Sequence, residues 1–437
     1  MGTATLGSRE ESFGCSRRKP RVLKLGTSSL NTWWKAISDA WAGRTKEVMT
    51  SSYDFIIVGA GISGAALAYY LKKAGARRVL LLERGELASG GTGKSAAIVR
   101  QHYSTTLMAR LAKRSVDIFR TMPEEIGSDG GYRGVGYFFI CSEENVEVAR
   151  KNVGMQQTIG INTEWLDAPS VAARFAWLNP EGVAGGAFEP DGGYADPVRS
   201  VEAYVAAFKG LGGEVRFHHP CRRVLRQGNS VVGIQTDNGD LGAGTVVNAA
   251  GPWARGLADL AKVSLNISSL REQDTIWEGR PGRELPPHSI SNTVDAIYIR
   301  PLGDRRYVVG RGYPKEYEDV DEDNYKETYD EAFVADVQTR LQRRVPAMEG
   351  AKLIHAYTAL YDVTPDWYPF VGPRSDVEGY VDFNGGSGHG FKIAPAIAEE
   401  TAAWLLTGRV EDDFKRLSYD RIASNKPFVQ SYGGNRG

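Results

Sequence analysis

Cysteine is scarce in this chain. Cys15, Cys141 and Cys221 are the only 3 in 437 residues, and none stands in C-x-x-C spacing. That leaves no thiolate set for structural zinc and fits a reducing compartment, so a cytoplasmic protein with no metal site is expected. Excess charge of either sign is missing too. Lys and Arg total 53, Asp and Glu total 53, and the formal net charge of 0 gives no electrostatic reason to expect nucleic acid or an anionic membrane. The longest apolar run, Phe55–Leu71, is broken by glycines, so no membrane span is expected. Repeats and low-complexity tracts are absent. A chain of this length can bury a large core and is expected to carry two domains.

Residues 1–50 differ from the rest, with Ser, Gly and basic residues around Trp33, Trp34 and Trp41. Arg17-Arg18-Lys19 hints at a targeting signal, but no sustained apolar stretch follows it. Because Met49 lies just before the first strand, the segment reads as a poorly ordered upstream extension or a misassigned start, with a transit peptide as the rival.

Chemistry begins at Tyr53. Phe55-Ile56-Ile57-Val58 is a short β-branched run, the pattern of a buried parallel strand. Gly59, Gly61 and Gly64 follow as G-x-G-x-x-G, and Ala65–Lys73 continues in good helix formers. Each glycine has a mechanical reason. Gly59 makes the tight turn, Gly61 lets a pyrophosphate approach the backbone, and Gly64 lets helix and strand pack closely. The helix start at Ile62 and Ser63 then offers unpaired N–H groups to phosphate. Val79–Leu82 forms the second strand, and Glu83 ends it about 20 residues past the turn, placed to accept from a ribose hydroxyl. An adenine dinucleotide is therefore expected.

Nicotinamide and flavin enzymes share that fingerprint, and three further segments bear on the choice. Thr245–Ala250 reads as a late strand entering Gly251-Pro252-Trp253, behind a hairpin turn at Asp237-Asn238-Gly239. Tyr380–Phe383 leads into GGSGHGFKIAP, a second glycine loop feeding a helix, whose N-terminus suits the electron-rich edge of a reduced flavin. Glu86–Ser95 directly follows Glu83, with glycine-rich backbone able to lie against a cofactor. Its ASGGTGKS nearly matches a P-loop, but alanine holds position 88 and Glu83 ends the preceding strand, so ATP hydrolysis is not expected.

In order, GAGISG with Glu83, SGGTGKSAAIVRQHY, NAAGPW, ALYDVTPDWYPFVGP and GGSGHGFK resemble the FAD-dependent amine oxidoreductases. That family contains D-amino-acid oxidase, glycine oxidase, sarcosine oxidase and dimethylglycine dehydrogenase. The likeness covers about four-fifths of the chain, and IVRQHY and GHGFK are most similar to the sarcosine oxidase branch. It implies an α/β fold in which a Rossmann-like FAD-binding domain (51–135, 195–255 and 355–410) interleaves with an antiparallel-sheet α+β substrate domain (136–194 and 256–354), followed by a tail over 411–437. Cofactor contacts are expected from Gly59, Gly61, Ile62, Ser63, Gly64, Glu83, Arg84, Gly91, Thr92, Ser95, Ala96, Cys221, Gly251, Trp253, Gly388, His389, Gly390 and Lys392. By pattern, Ser104–Met122, Glu144–Ile159, Pro197–Leu211 and Glu331–Val345 read as helices, the last stopped by Pro346. Residues 132–141, 183–188 and 294–311 read as strands, and Glu316–Asp330 as an acidic solvated loop or helix start.

Oxidising an amino acid at a flavin requires its α-carbon hydrogen near N5, and fixed cations on the carboxylate achieve this best. Arginine grips a carboxylate through two parallel hydrogen bonds, and lysine acts as a compact point charge. In the sarcosine oxidase relatives the arginine of I-[IV]-R-x-x-Y and the lysine of G-H-G-F-K do so, and the matching residues are Arg100 and Lys392. Arg300 is a candidate third ligand, on the strand face of Tyr298 or exposed. Tyr298 and Tyr361 match aromatic positions that wall the family's pocket. The plain alternatives are surface salt bridges for the cations and core packing for the tyrosines. The implied reaction is hydride transfer from a neutral amine to flavin N5, with the imine then hydrolysed by water.

Two departures matter. The family's covalent cysteine site reads Ala359 here, and GTGKSAA lacks the histidine used by the dimethylglycine branch, so non-covalent FAD is expected. The oxygen-activating lysine of monomeric sarcosine oxidases aligns with Val308, which leaves O2, a quinone or a carrier protein as electron acceptor. The expected function is an FAD-dependent amine oxidase or dehydrogenase for sarcosine, dimethylglycine, glycine or a D-amino acid. Its rivals are a flavoprotein scaffold or assembly factor and a flavoenzyme for a hydroxy acid or polyol. The intact pair of Arg100 and Lys392 favours the enzyme acting on amines.

Overall fold

The computed structural model describes Gly2 and residues 52–429, so the extension expected over residues 1–50 and the last residues of the tail lie outside the described residues. Ser52–Val58 opens the first sheet, its apolar centre buried as a β-branched strand covered on both faces requires. It runs parallel to Val79–Leu82 on one side and Gly239–Asn248 on the other, with Val58 level with both Leu82 and Asn248. Gly239–Asn248 runs parallel in turn to Tyr380–Asn384. These four strands therefore end at one edge, where they release Gly59, Glu83, Ala249 and Gly385. The carboxyl edge of an open α/β sheet is its ligand edge, and this topology brings two glycine loops far apart in sequence to the same place.

The remaining strands of this eight-stranded sheet extend its margins. Glu214–Arg216 pairs with Val79–Leu82, Phe370–Pro373 with Tyr380–Asn384, and Arg223–Gln227 and Ser230–Thr236 continue from Gly239–Asn248. The expected hairpin is present, with Thr236 paired to Gly239 across Asp237-Asn238. The helices Ile62–Lys73, Thr106–Ile126, Pro197–Gly210 and Gly390–Thr407 share one core with the sheet.

The second sheet has nine strands and belongs to the same compact unit, Met49–Gly437. Its order is Glu318–Asp319, Ser268–Glu278, Arg306–Arg311, Ile297–Gly303, Ser289–Asn292, Tyr137–Cys141, Gly185–Glu189 and Glu164–Asp167, with Lys352–Val363 paired along Ser268–Glu278. All its ladders are antiparallel except Ser289–Asn292 against Tyr137–Cys141. Helix Glu331–Arg344 seals one face through Val334, Val337 and Leu341. The predicted helices occur close to their expected bounds, but Thr106–Ile126 runs past Met122 to a left-handed Gly127 at φ 73°.

Two findings differ from expectation. Ser268–Glu278 is a strand that the pattern conceals, because Arg271, Glu272 and Asp274 occupy buried positions. Each has a partner: Arg271 pairs with Asp330 at 2.8 Å and Glu318 at 3.1 Å, Glu272 pairs with Lys315, and Asp274 accepts from the Tyr298 hydroxyl at 2.6 Å. The acidic segment Glu316–Asp330 is consequently no free solvated loop. It adds the short strand Glu318–Asp319 to the sheet and ties its carboxylates to Arg271. Among the described residues no helix is long and apolar enough to cross a membrane.

Candidate active site

The carboxyl edge of the first sheet opens into a cavity of about 890 Å³. Gly59 turns there at φ 110°, where a Cβ would stand 2.4 Å from the Ala249 carbonyl oxygen. A Cβ on Gly64 would stand 1.9 Å from the Gly59 carbonyl oxygen, so the helix rests directly on the turn. Gly61 precedes the helix with no side-chain cap, which leaves N–H groups at the cavity wall, where Ile62 and Ser63 lie. Thr92 Oγ1 accepts from the Ile62 N–H at 3.2 Å and steadies the helix start. Glu83 Oε2 accepts from the Ala60 N–H and Oε1 from the Gly85 N–H, both at 2.8 Å. A carboxylate has about four acceptor positions, so both oxygens retain capacity for ribose hydroxyls.

Gly91, Thr92, Ser95, Ala96, Cys221 and Gly251 continue this wall. Burial pushes the Cys221 thiol up to about 11, which makes it a packing group and not a nucleophile. Arg84 lies 4.2 Å from the Trp253 ring centre, and Asp323 accepts from the Trp253 indole at 2.7 Å and from Arg84 at 3.4 Å. The acidic segment thus reaches across to the part of the cavity wall formed by Arg84 and Trp253.

The second glycine loop is organised by Asp362, which the sequence does not single out. Its Oδ2 accepts from the Gly385 N–H at 2.8 Å and the Gly386 N–H at 3.0 Å. Gly388 follows at φ 75°, and a Cβ there would stand 2.8 Å from the Tyr361 ring. His389 then begins the helix Gly390–Thr407 without a side-chain cap. Neither ring nitrogen of His389 has a hydrogen-bond partner among the described residues, although the residue is buried. Burial, with Lys392 and Arg100 adding to it, holds the imidazole neutral by lowering its pKa well below the usual range. Orphan buried nitrogens beside an open helix N-terminus call for a polar ligand edge.

Arg100 follows the short strand Ile98–Val99, which pairs with Gly193–Tyr194. Its guanidinium lies 4.6 Å from the Tyr103 ring centre and donates to the His102 carbonyl. Lys392 sits in the first turn of Gly390–Thr407, its Nζ 3.4 Å from the Gly388 carbonyl, with no carboxylate at ion-pair distance among the described residues. Burial first, and the Arg100 charge second, push the lysine pKa well below its usual range. Glu189 is buried nearby and accepts from the Gln101 N–H at 2.7 Å. Burial raises its pKa to about 7 against the pull of that bond and of Arg100, so it is a weak counter-ion. Tyr298 and Tyr361 join Arg100 and Lys392 in the cavity wall. Arg300 does not. It stacks 4.4 Å from the Tyr194 ring centre and donates to the Ala195 carbonyl at 2.6 Å.

Residues 54–404 match the profile of DAO, described as FAD dependent oxidoreductase. The chain belongs to the DAO family. It is 28% identical over 379 residues to 4-methylaminobutanoate oxidase (formaldehyde-forming) of Paenarthrobacter nicotinovorans, covering 85% of this chain and 46% of that one. It is 29% identical over 400 residues to FAD-dependent oxidoreductase domain-containing protein 1 of Bos taurus, covering 82% of each. The crystal structure of L-proline dehydrogenase from P. horikoshii superposes with a TM-score of 0.79 at 23% identity, covering 86% of this chain and 100% of that one. The chain spans about half the length of several curated relatives that it matches.

As a DAO-family flavoprotein the chain binds FAD, and its residues fit that cofactor. The first glycine turn and Glu83 would hold the pyrophosphate and ribose, and Gly388, His389 and Gly390, which line the same cavity, would meet the isoalloxazine. Of the cofactor contacts expected from sequence, Gly64 alone is absent from the wall, because it packs the helix onto the turn behind it. Ala359 lines the cavity and offers no nucleophile for a covalent link. Glu189 and Asp274 gave no signal of their own in the sequence, since isolated acids within apolar or mixed strands have no distinctive spacing.

Proposed function

We propose that this DAO-family protein oxidises the C–N bond of an amino acid or N-methylated amino acid of the sarcosine, dimethylglycine, glycine or D-amino-acid type. The carrying observation is the pair of buried cations, Arg100 and Lys392, in the wall of one cavity beside the second glycine loop. Two desolvated like charges oppose each other, and a carboxylate between them removes that cost. Arg100 supplies a bidentate grip and Lys392 a point charge, which together fix the substrate's α-carbon in one orientation. When bound, FAD would supply the hydride acceptor, and the uncapped helix N-terminus at Gly390 would favour negative charge on a reduced flavin held there. Tyr298 and Tyr361 exclude water from the reacting face, and the imine product hydrolyses after release. A relative named for oxidising 4-methylaminobutanoate supports an N-methylated substrate.

Anaerobic mixing of the yellow protein with a panel of N-methyl and D-amino acids is the test. Bleaching of the flavin band near its visible maximum by at least one member is expected. A panel that leaves the band unchanged contradicts the proposal. Admission of air to the bleached sample then separates acceptors: rapid return of colour marks an oxidase, and persistent bleaching relieved by a quinone or carrier protein marks a dehydrogenase.

A further inference from the structure

Asp274 lies in the same cavity wall at 4% exposure, with no ion-pair partner among the described residues. Its position is made by a glycine. Asp274 is level with Gly310 on one side and Tyr357 on the other, and Gly310 is level with Tyr298 across the next ladder. A Cβ on Gly310 would stand 2.2 Å from Asp274 Oδ1 and 2.3 Å from the Tyr298 hydroxyl. The missing side chain lets Tyr298 reach over the intervening strand and donate to Asp274 at 2.6 Å. Tyr357 presents a second phenol to the same carboxyl group. The nearby cation, Lys315, is committed to Glu272, two residues back on the same strand. The sheet therefore builds a carboxyl group with phenol donors and no ion-pair partner among the described residues, facing the cavity that holds Arg100 and Lys392. A wall with cations in one part and an unpaired acid in another is complementary to a zwitterion.

We infer that Asp274 receives the ammonium nitrogen of a zwitterionic amino-acid substrate and takes its proton, with Tyr298 and Tyr357 fixing the carboxyl group. The inference rests on the amino-acid function proposed above and adds the charge pattern of the substrate. In this step an N–H bond of the ammonium breaks, an O–H bond forms on Asp274, and the electron pair stays on nitrogen as the lone pair of a neutral amine. No oxidant is consumed. The groups facing Asp274 are Tyr298, Tyr357, Tyr361, Glu272 and Lys315. Burial raises the Asp274 pKa to about 7, the Tyr298 hydrogen bond opposes it, Glu272 adds to it and Lys315 lowers it. A carboxyl group poised there exchanges a proton near neutral pH.

The test compares each N-methyl amino acid with the carboxylate that carries CH2 in place of nitrogen: sarcosine with butanoate, and 4-methylaminobutanoate with hexanoate. Binding to FAD-loaded protein is read anaerobically from the flavin absorbance change on mixing, before any bleaching. Wild type should prefer the nitrogen-bearing member of at least one pair by about 30-fold or more, as expected for a buried charge pair. In Asp274→Asn that preference should collapse while binding of the nitrogen-free carboxylate is unchanged. A preference that survives in Asp274→Asn overturns the inference. Nitrogen-free carboxylates that fail to bind wild type strike instead at the carboxylate site of Arg100 and Lys392, and the inference falls with it. Should Asp274→Asn fail to load FAD, Tyr298→Phe serves in its place, with the preference falling about 5-fold for one lost hydrogen bond and an unchanged preference again overturning the inference.

Discussion

Gly64→Ala is expected to cost this protein its FAD. The new methyl group would stand 1.9 Å from the Gly59 carbonyl oxygen, a backbone atom that cannot rotate away. Either the helix Ile62–Lys73 lifts from the turn or the turn itself distorts, and both move the N–H groups that would hold the pyrophosphate. Overpacking of this kind costs about 1–3 kcal/mol. If that strain is relieved mainly when the cofactor leaves, FAD affinity falls by up to about 100-fold. Titration of apoprotein with FAD, followed by quenching of flavin fluorescence, gives the ratio directly. Gly154→Ala is the contrasting case. Gly154 lies exposed within helix Val146–Thr158 with nothing within 4 Å of a Cβ, so alanine should raise stability by about 0.5–1 kcal/mol and leave FAD affinity alone. Equal FAD affinity in Gly64→Ala and wild type would mean that the first glycine turn does not form the pyrophosphate site.

Lys392→Met should make the protein more stable and less able to bind substrate. The ammonium is buried, hydrogen-bonds only to a backbone carbonyl, at 3.4 Å, among the described residues, and has its pKa pushed well down by burial and by Arg100. A lysine whose folded pKa lies below its unfolded value binds fewer protons when folded. The contribution of this group to stability is therefore lowest below the folded pKa and rises as pH climbs from the folded toward the unfolded pKa. Methionine fills a similar volume without the charge, so thermal unfolding without substrate should shift upward by the equivalent of about 1–2 kcal/mol. The same change removes one of the two proposed carboxylate anchors, and apparent affinity for the amino-acid substrate should fall about 100-fold, as for a lost buried charge contact. Arg100→Ala should weaken substrate in the same sense while FAD stays bound. A Lys392→Met protein that loses stability and keeps its substrate affinity would make Lys392 a structural residue.

What the sequence makes legible and what it conceals divide along physical lines. The glycine turns are legible because each answers a steric demand that no other residue meets, and the spacing of Gly59, Gly61 and Gly64 carries the whole βαβ unit with it. Arg300 shows the limit of strand alternation. Periodicity puts it on the same face as Tyr298, but it cannot say where along the strand the cavity ends, and Arg300 falls beyond that point under Tyr194. Ser268–Glu278 is concealed because its buried positions carry Arg271, Glu272 and Asp274, each partnered by residues distant in sequence. Asp362 is written plainly within ALYDVTP, yet its work is to hold the N–H groups of Gly385 and Gly386, a relation that only the fold creates. The acidic run at Glu316–Asp330 has the composition of a solvated segment, and the fold gives its carboxylates partners such as Arg271, Trp253 and Arg84.

Both glycine loops are held to grip one molecule of FAD without a covalent bond. Acid precipitation of the purified yellow protein, with the flavin in supernatant and pellet quantified by absorbance, tests this most directly. One FAD per chain should appear in the supernatant and none in the pellet. Colour retained in the pellet contradicts non-covalent attachment, and a colourless protein that takes up no FAD on reconstitution contradicts the site itself.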